Sequence, residues 1–170
     1  MSRTGKLIGD DTVQFERLLP APIDVVWEYL TVPERVASWL AHAAIEPRTG
    51  GSASLRWDEW STDEPPPNGE LYWTAKGVVT RWDPPRALAY TWNQPGLPES
   101  ELTFELTPQG DETLLVLTHR RIAKERHMFA AGWHAHLDLF AARLKGGERG
   151  DFIGRYKSLL KEYPPPARDV

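Results

Sequence analysis

A stripe of large apolar side chains near the C-terminal end constrains this chain more than any other feature. At about 100° per residue, Phe129, Trp133, Leu137, Phe140 and Leu144 fall within roughly 40° of one line. The spacing predicts a helix over 124–145 with one apolar face, ended by Gly146 and Gly147. A helix that long needs a partner of matching size for its stripe, and the preceding segments provide one. Val13 to Leu19 alternates apolar and polar residues and reads as a strand stopped by Pro20 and Pro22. Val26, Trp27 and Leu30 then recur at helical spacing, and Pro33 opens a second short helix carrying Val36, Trp39 and Leu40 on one face.

Strand patterns follow at Ser52–Trp60, Leu71–Trp82, Leu88–Trp92, Glu101–Thr107 and Glu112–Arg120. Between them lie turns rich in Gly and Pro, among them the loop Thr62–Gly69, and Gly77 is a candidate bulge. Connections of hairpin length make an antiparallel meander rather than parallel crossovers. The expected order is β-α-α-β-β-β-β-β-α, an α+β domain over 13–163 with tails at 1–12 and 164–170. Phe152, Tyr156, Leu159, Leu160 and Tyr163 predict an extra amphipathic helix over 151–163.

Composition narrows the function. A length of 170 residues suits one domain. The absence of cysteine excludes disulfides, thiolate nucleophiles and thiolate zinc sites. A net charge of −4 speaks against a nucleic-acid partner. Met1 to Gln14 has no apolar signal core and no run reaches 18 apolar residues, so no membrane span is expected and a cytoplasmic location is. No nucleophile-elbow, phosphate-loop or dinucleotide motif occurs. His134 and His136 stand about 200° apart on a helix and cannot chelate one ion. Neither a metal nor a cofactor is expected.

Taken together, the motifs resemble a known family. Ala21, Pro22, Val25, Trp27, Leu30, Thr31, Pro33 and Glu34, followed by Trp39-Leu40, resemble the opening of START-like domains of the SRPBCC superfamily. The likeness is to the branch named after the C-terminal domain of the activator of the heat shock protein 90 ATPase. Gly50-Gly51, Gly77-Val78-Val79, Pro84-Pro85-Arg86, Tyr90, Trp92, Glu105-Leu106, His119 and Gly132-Trp133 continue it in order. The resemblance implies a helix-grip (Bet v 1-like) fold, in which a curved antiparallel sheet wraps a long C-terminal helix around a cavity. The superfamily includes lipid carriers, hormone-type receptors, polyketide cyclases and aromatases. The co-chaperone that names the branch carries an N-terminal domain without counterpart in these 170 residues, so chaperone activation is the less expected inheritance.

Within that frame Trp57, Trp92 and Trp133 fall on inward registers, where each indole either fills the core or lines a cavity. His119 ends the alternation Thr113, Leu115, Leu117 and is the candidate polar handle or proton acceptor, unless neighbouring side chains satisfy it. Phe129 and Leu137 are expected as apolar walls and His136 at the cavity edge, while His127 and His134 share a flank expected to face solvent. The leading expectation is non-catalytic binding of a small apolar or amphipathic molecule. A cyclase- or aromatase-like enzyme using His119 or a nearby carboxylate, and an interaction module, co-chaperone-like or dimerising through Phe152 to Tyr163, are the alternatives.

Overall fold

The computed structural model describes residues 5–58, 66–148 and 150–165. The end of the strand read to Trp60, the first half of the loop read from Thr62 to Gly69, and the outer parts of both expected tails lie outside the described residues.

Eight strands form one antiparallel, curved sheet. They are β1 (Lys6–Ile8), β2 (Thr12–Leu19), β3 (His42–Ile45), β4 (Ser52–Trp57), β5 (Trp73–Asp83), β6 (Ala87–Trp92), β7 (Ser100–Gln109) and β8 (Glu112–Arg120). Their spatial order is β1-β2-β8-β7-β6-β5-β4-β3, so β3 to β8 are a meander and β2 closes onto the last strand. Helices α1 (Ile23–Thr31) and α2 (Pro33–Val36) fill the connection from β2 to β3, and α3 (Arg126–Leu144) and α4 (Phe152–Leu159) follow the sheet. This is the helix-grip arrangement. It adds two strands to the expected order. β1 is three exposed residues paired to β2, and β3 is a four-residue edge strand containing two alanines, so neither carries a readable alternation.

Gly77 is not the bulge. The β5–β6 register slips between Val79 and Arg81 instead. Gly77 faces the Thr91 backbone so closely that a Cβ would run into its carbonyl, which requires glycine there. Thr91 uses its hydroxyl to accept from the Val78 N–H at 2.8 Å.

Helix α3 departs from the expected single stripe. Ala130, Ala131, His134, Ala135, His136 and Leu139 are buried along with Trp133, Leu137 and Phe140, so most of its circumference is covered. The sheet takes one side, and α4 with the segment to Tyr163, together with Trp39 after α2 and Tyr29 of α1, takes others. His134, expected in water, is therefore satisfied inside, as is His136. His134 Nδ1 pairs with the Tyr163 hydroxyl at 2.9 Å, and His136 Nδ1 donates to the Trp39 carbonyl at 3.1 Å. His127 is half-buried. The apolar side chains of 152–163 also turn inward: Leu159 and Tyr163 are buried, and Phe152, Tyr156 and Leu160 pack on the core. The face expected for a homodimer is spent on the chain's own fold.

Trp39 joins these layers. It is fully buried, stacks on Phe140 with centroids 4.3 Å apart and planes at 10°, and donates its indole N–H to the Tyr29 carbonyl at 2.8 Å. Trp39→Ala removes the largest fully buried side chain and orphans that carbonyl, so it should cost about 3–5 kcal/mol. Urea unfolding followed by circular dichroism measures this, and a loss below about 1 kcal/mol would contradict the assignment.

Candidate functional site

The seam between α3 and the sheet is mostly filled with aromatic rings. Trp133 on α3 lies edge-on to Trp92 at 5.7 Å and to Phe104 at 6.1 Å, from β6 and β7. At the N-terminal end of α3 a hollow of about 60 Å³ survives this packing. Its walls are Trp57 from β4, Trp92 from β6, Phe129 and Trp133 from α3, and Phe152 and Tyr156 from α4. Leu40, Gln94, Leu97, Met128 and His136 complete it, with Gly132 leaving the helix side open. One water needs roughly 10–15 Å³ by this measure, so the hollow holds the equivalent of about four to six waters.

Two of its indoles present carbon because their N–H groups are engaged elsewhere. Trp92 donates its indole N–H to Gln94 Oε1 at 3.2 Å. Trp133 donates its own to His119 Nδ1 at 2.9 Å. An indole N–H can only donate, so His119 Nδ1 is the acceptor and the neutral ring carries its proton on Nε2. That proton goes to the Ser100 hydroxyl at 2.8 Å, which in turn faces the Trp92 carbonyl at 3.4 Å. His119 is fully buried, and burial pushes its pKa down to about 3.

Five of the seven residues singled out from the sequence line the hollow: Trp57, Trp92, Phe129, Trp133 and His136. His119 and Leu137 do not. His119 lies behind the wall, with its ring centroid 4.5 Å from that of Phe129, and both its nitrogens are engaged by the protein. It offers the hollow neither a lone pair nor a proton, which corrects its reading as polar handle or base. Its role is to hold the Trp133 indole in place. Leu137 lines a different groove of about 400 Å³ between β2 and the second half of α3. There Glu16, Arg17, Glu112, Asp138 and Lys145 interrupt the apolar surface. Leu137 follows Trp133 by one turn, so the end of the stripe runs past the hollow.

Sequence reasoning missed Ser100, Gln94, Leu40 and Tyr156. Gln94 and Ser100 flank a loop that reads only as Pro/Gly punctuation, although a buried Trp92 itself announces an acceptor nearby. A second cavity of about 150 Å³ adjoins the first and shares Leu40, Trp57 and Phe152 with it. His42, Arg56 and Asp58 make it polar: His42 Nε2 lies 2.7 Å from Asp58 Oδ2, and Arg56 Nε donates to Asp58 Oδ1 at 3.1 Å. Among the described residues, no group of three or more His, Asp or Glu side chains gathers to hold a metal, and no helix is long and apolar enough to cross a membrane.

The buried neutral His119 links stability to pH. Its folded pKa lies below its unfolded value near 6.5, so its stabilising effect is complete above about pH 6.5 and is lost progressively as pH falls toward 3. Nitrogen-15 NMR should find one histidine as the neutral Nε2–H tautomer at pH 5, and that signal should vanish in His119→Ala. An imidazolium at His119 at pH 5 would contradict the network.

No curated protein sequence matches the chain. The structure of the protein encoded by gene BPP1335 of Bordetella parapertussis is 33% identical, with a TM-score of 0.74 over 94% of this chain and 87% of that one. CalU16 of Micromonospora echinospora is similar in fold, at 24% identity and a TM-score of 0.68 over 94% and 92%. DynU16, from the dynemicin biosynthetic locus, is 27% identical with a TM-score of 0.67; 83% of this chain aligns with 49% of that one. Residues 20–145 match the family described as Activator of Hsp90 ATPase homolog 1-like protein. The helix-grip sheet, the long α3 laid across it and this match together show that the chain belongs to the Activator of Hsp90 ATPase homolog 1-like family of the SRPBCC superfamily.

Proposed function

We propose that the protein binds a small apolar or amphipathic molecule, without chemistry of its own, in the hollow between the first half of α3, strands β4 and β6, and α4. The observation that carries this reading is the engagement of two wall indoles within the protein. Trp92 and Trp133 direct their N–H groups to Gln94 and His119, so these two rings offer the space aromatic carbon rather than a donor. A guest there recovers transfer free energy at roughly 25 cal/mol per Å² of apolar area removed from water. For one ring, less the cost of immobilising it, that corresponds to a Kd on the order of 0.1–1 mM. A larger cavity ligand gains in proportion to the area it buries.

The likeness to DynU16, a protein of a biosynthetic locus, is in keeping with an organic small molecule as guest. A proton-moving cyclase mechanism through His119 finds no support, because that ring has no atom open to the hollow. The inward packing of 152–163 likewise leaves a homodimer through that segment unsupported.

Gly132 supplies a specific test. A Cβ there would meet Tyr156 at 3.9 Å, an ordinary contact, and a longer side chain would extend into the hollow. Gly132→Leu should hold or raise thermal stability, since Gly costs a helix interior about 1 kcal/mol. It should also weaken indole binding at least tenfold in titrations followed by tryptophan fluorescence and calorimetry. Absence of saturable indole or toluene binding by the unmodified protein, or equal binding by Gly132→Leu, would remove the proposal.

A further inference from the structure

The two adjoining cavities differ in character. The hollow of about 60 Å³ is walled by aromatic carbon, and the neighbouring space of about 150 Å³ carries His42, Arg56 and Asp58. Leu40, Trp57 and Phe152 belong to both and so form the partition between them. Leu40 and Trp57 are buried in the core, at 2% and 6% exposure, and neither can leave without opening it. Phe152 is different. It is the half-buried first residue of α4, an eight-residue helix whose one buried residue, Leu159, lies at its far end.

The Phe152 ring stacks on His136 at 4.0 Å and 20°, a face-on contact that lets it slide or withdraw without breaking a hydrogen bond. His136 does not depend on it, because the Trp39 carbonyl holds that imidazole. On the polar side, Arg56 lies over the Tyr72 ring at 4.9 Å and commits its Nε–H to Asp58, and a guanidinium has four further N–H donors. Those donors suit a ligand group that accepts hydrogen bonds. Asp58 balances the charge of Arg56, so the space selects for an acceptor rather than for net charge alone.

We infer that Phe152 is the specificity-determining residue of the site, a movable partition, and that the ligand has two parts: an apolar ring body in the hollow and an acceptor-bearing head that passes Phe152 to reach Arg56. This rests on the binding reading above and adds the ligand's class and length to it. Phe152 lies beyond residues 20–145, the segment that matches the family.

Calorimetric titration with three probes tests this: toluene, butylbenzene and 4-phenylbutanoate. Phe152→Ala should tighten both longer probes at least fivefold and change toluene less than threefold, with Phe152→Leu intermediate in case the alanine variant unfolds. Arg56→Gln in either background should weaken 4-phenylbutanoate at least fivefold and leave butylbenzene unchanged, which separates the head group from length. If toluene binds but neither Phe152 variant alters the ratio of long to short probes, the partition is overturned while the binding reading stands. If both respond but Arg56→Gln has no effect, the assigned head contact is overturned. If toluene itself fails to bind, the underlying reading falls, and the partition with it.

Discussion

The hydrogen bond from the Trp133 indole to His119 couples the long helix to the sheet, and much of the site depends on it. A tryptophan buried this deeply carries an N–H that is costly to leave unpaired. The sheet answers it with a histidine whose other nitrogen is fixed by Ser100, from the adjacent strand β7. The chain Trp133, His119, Ser100 and the Trp92 carbonyl thus ties α3, β8, β7 and β6 together in one polar thread through an apolar seam. It sets the angle of two rings that wall the hollow, and it keeps the histidine neutral, because an imidazolium could not accept from the indole.

That thread also explains why the hollow is small and lies at one end. A cavity of a few hundred cubic ångströms would require the seam between helix and sheet to stay empty. Trp39, Phe140, Trp133 and Phe104 fill it instead. Space remains where α3 begins, at Gly132, where the helix presents no side chain. α4 then folds back over this mouth and divides what is left into an aromatic part and a polar part. The site is therefore built by the family-matched segment together with α4, which follows it in the chain.

The architecture could be read from the sequence because the signals were long and periodic: five hairpin-spaced strands and a stripe recurring over Phe129 to Leu144. β1 and β3 escaped because three or four residues at a sheet edge need no alternation. The inward registers of Trp57, Trp92 and Trp133 were correct for the same periodic reason. His119 shows where such reasoning stops. Its register placed it among core leucines, but whether it faced a cavity or a tryptophan depended on Trp133 and Ser100, at 14 and 19 residues' distance. His134 shows the same limit from the other side, since the hydroxyl that satisfies it belongs to Tyr163, 29 residues away. Phe152 was legible as one apolar residue of an amphipathic helix, but the surface that helix would cover was not.

The central claim is that the space beside Trp92, Phe129 and Trp133 admits an apolar guest. A crystal structure after soaking with iodobenzene tests it most directly, because the iodine locates itself by anomalous scattering. The account predicts an anomalous peak within van der Waals distance of Trp92, Phe129 and Trp133, with Phe152 retained or displaced beside it. A map with no peak there, or with iodine confined to the outer surface, would contradict it.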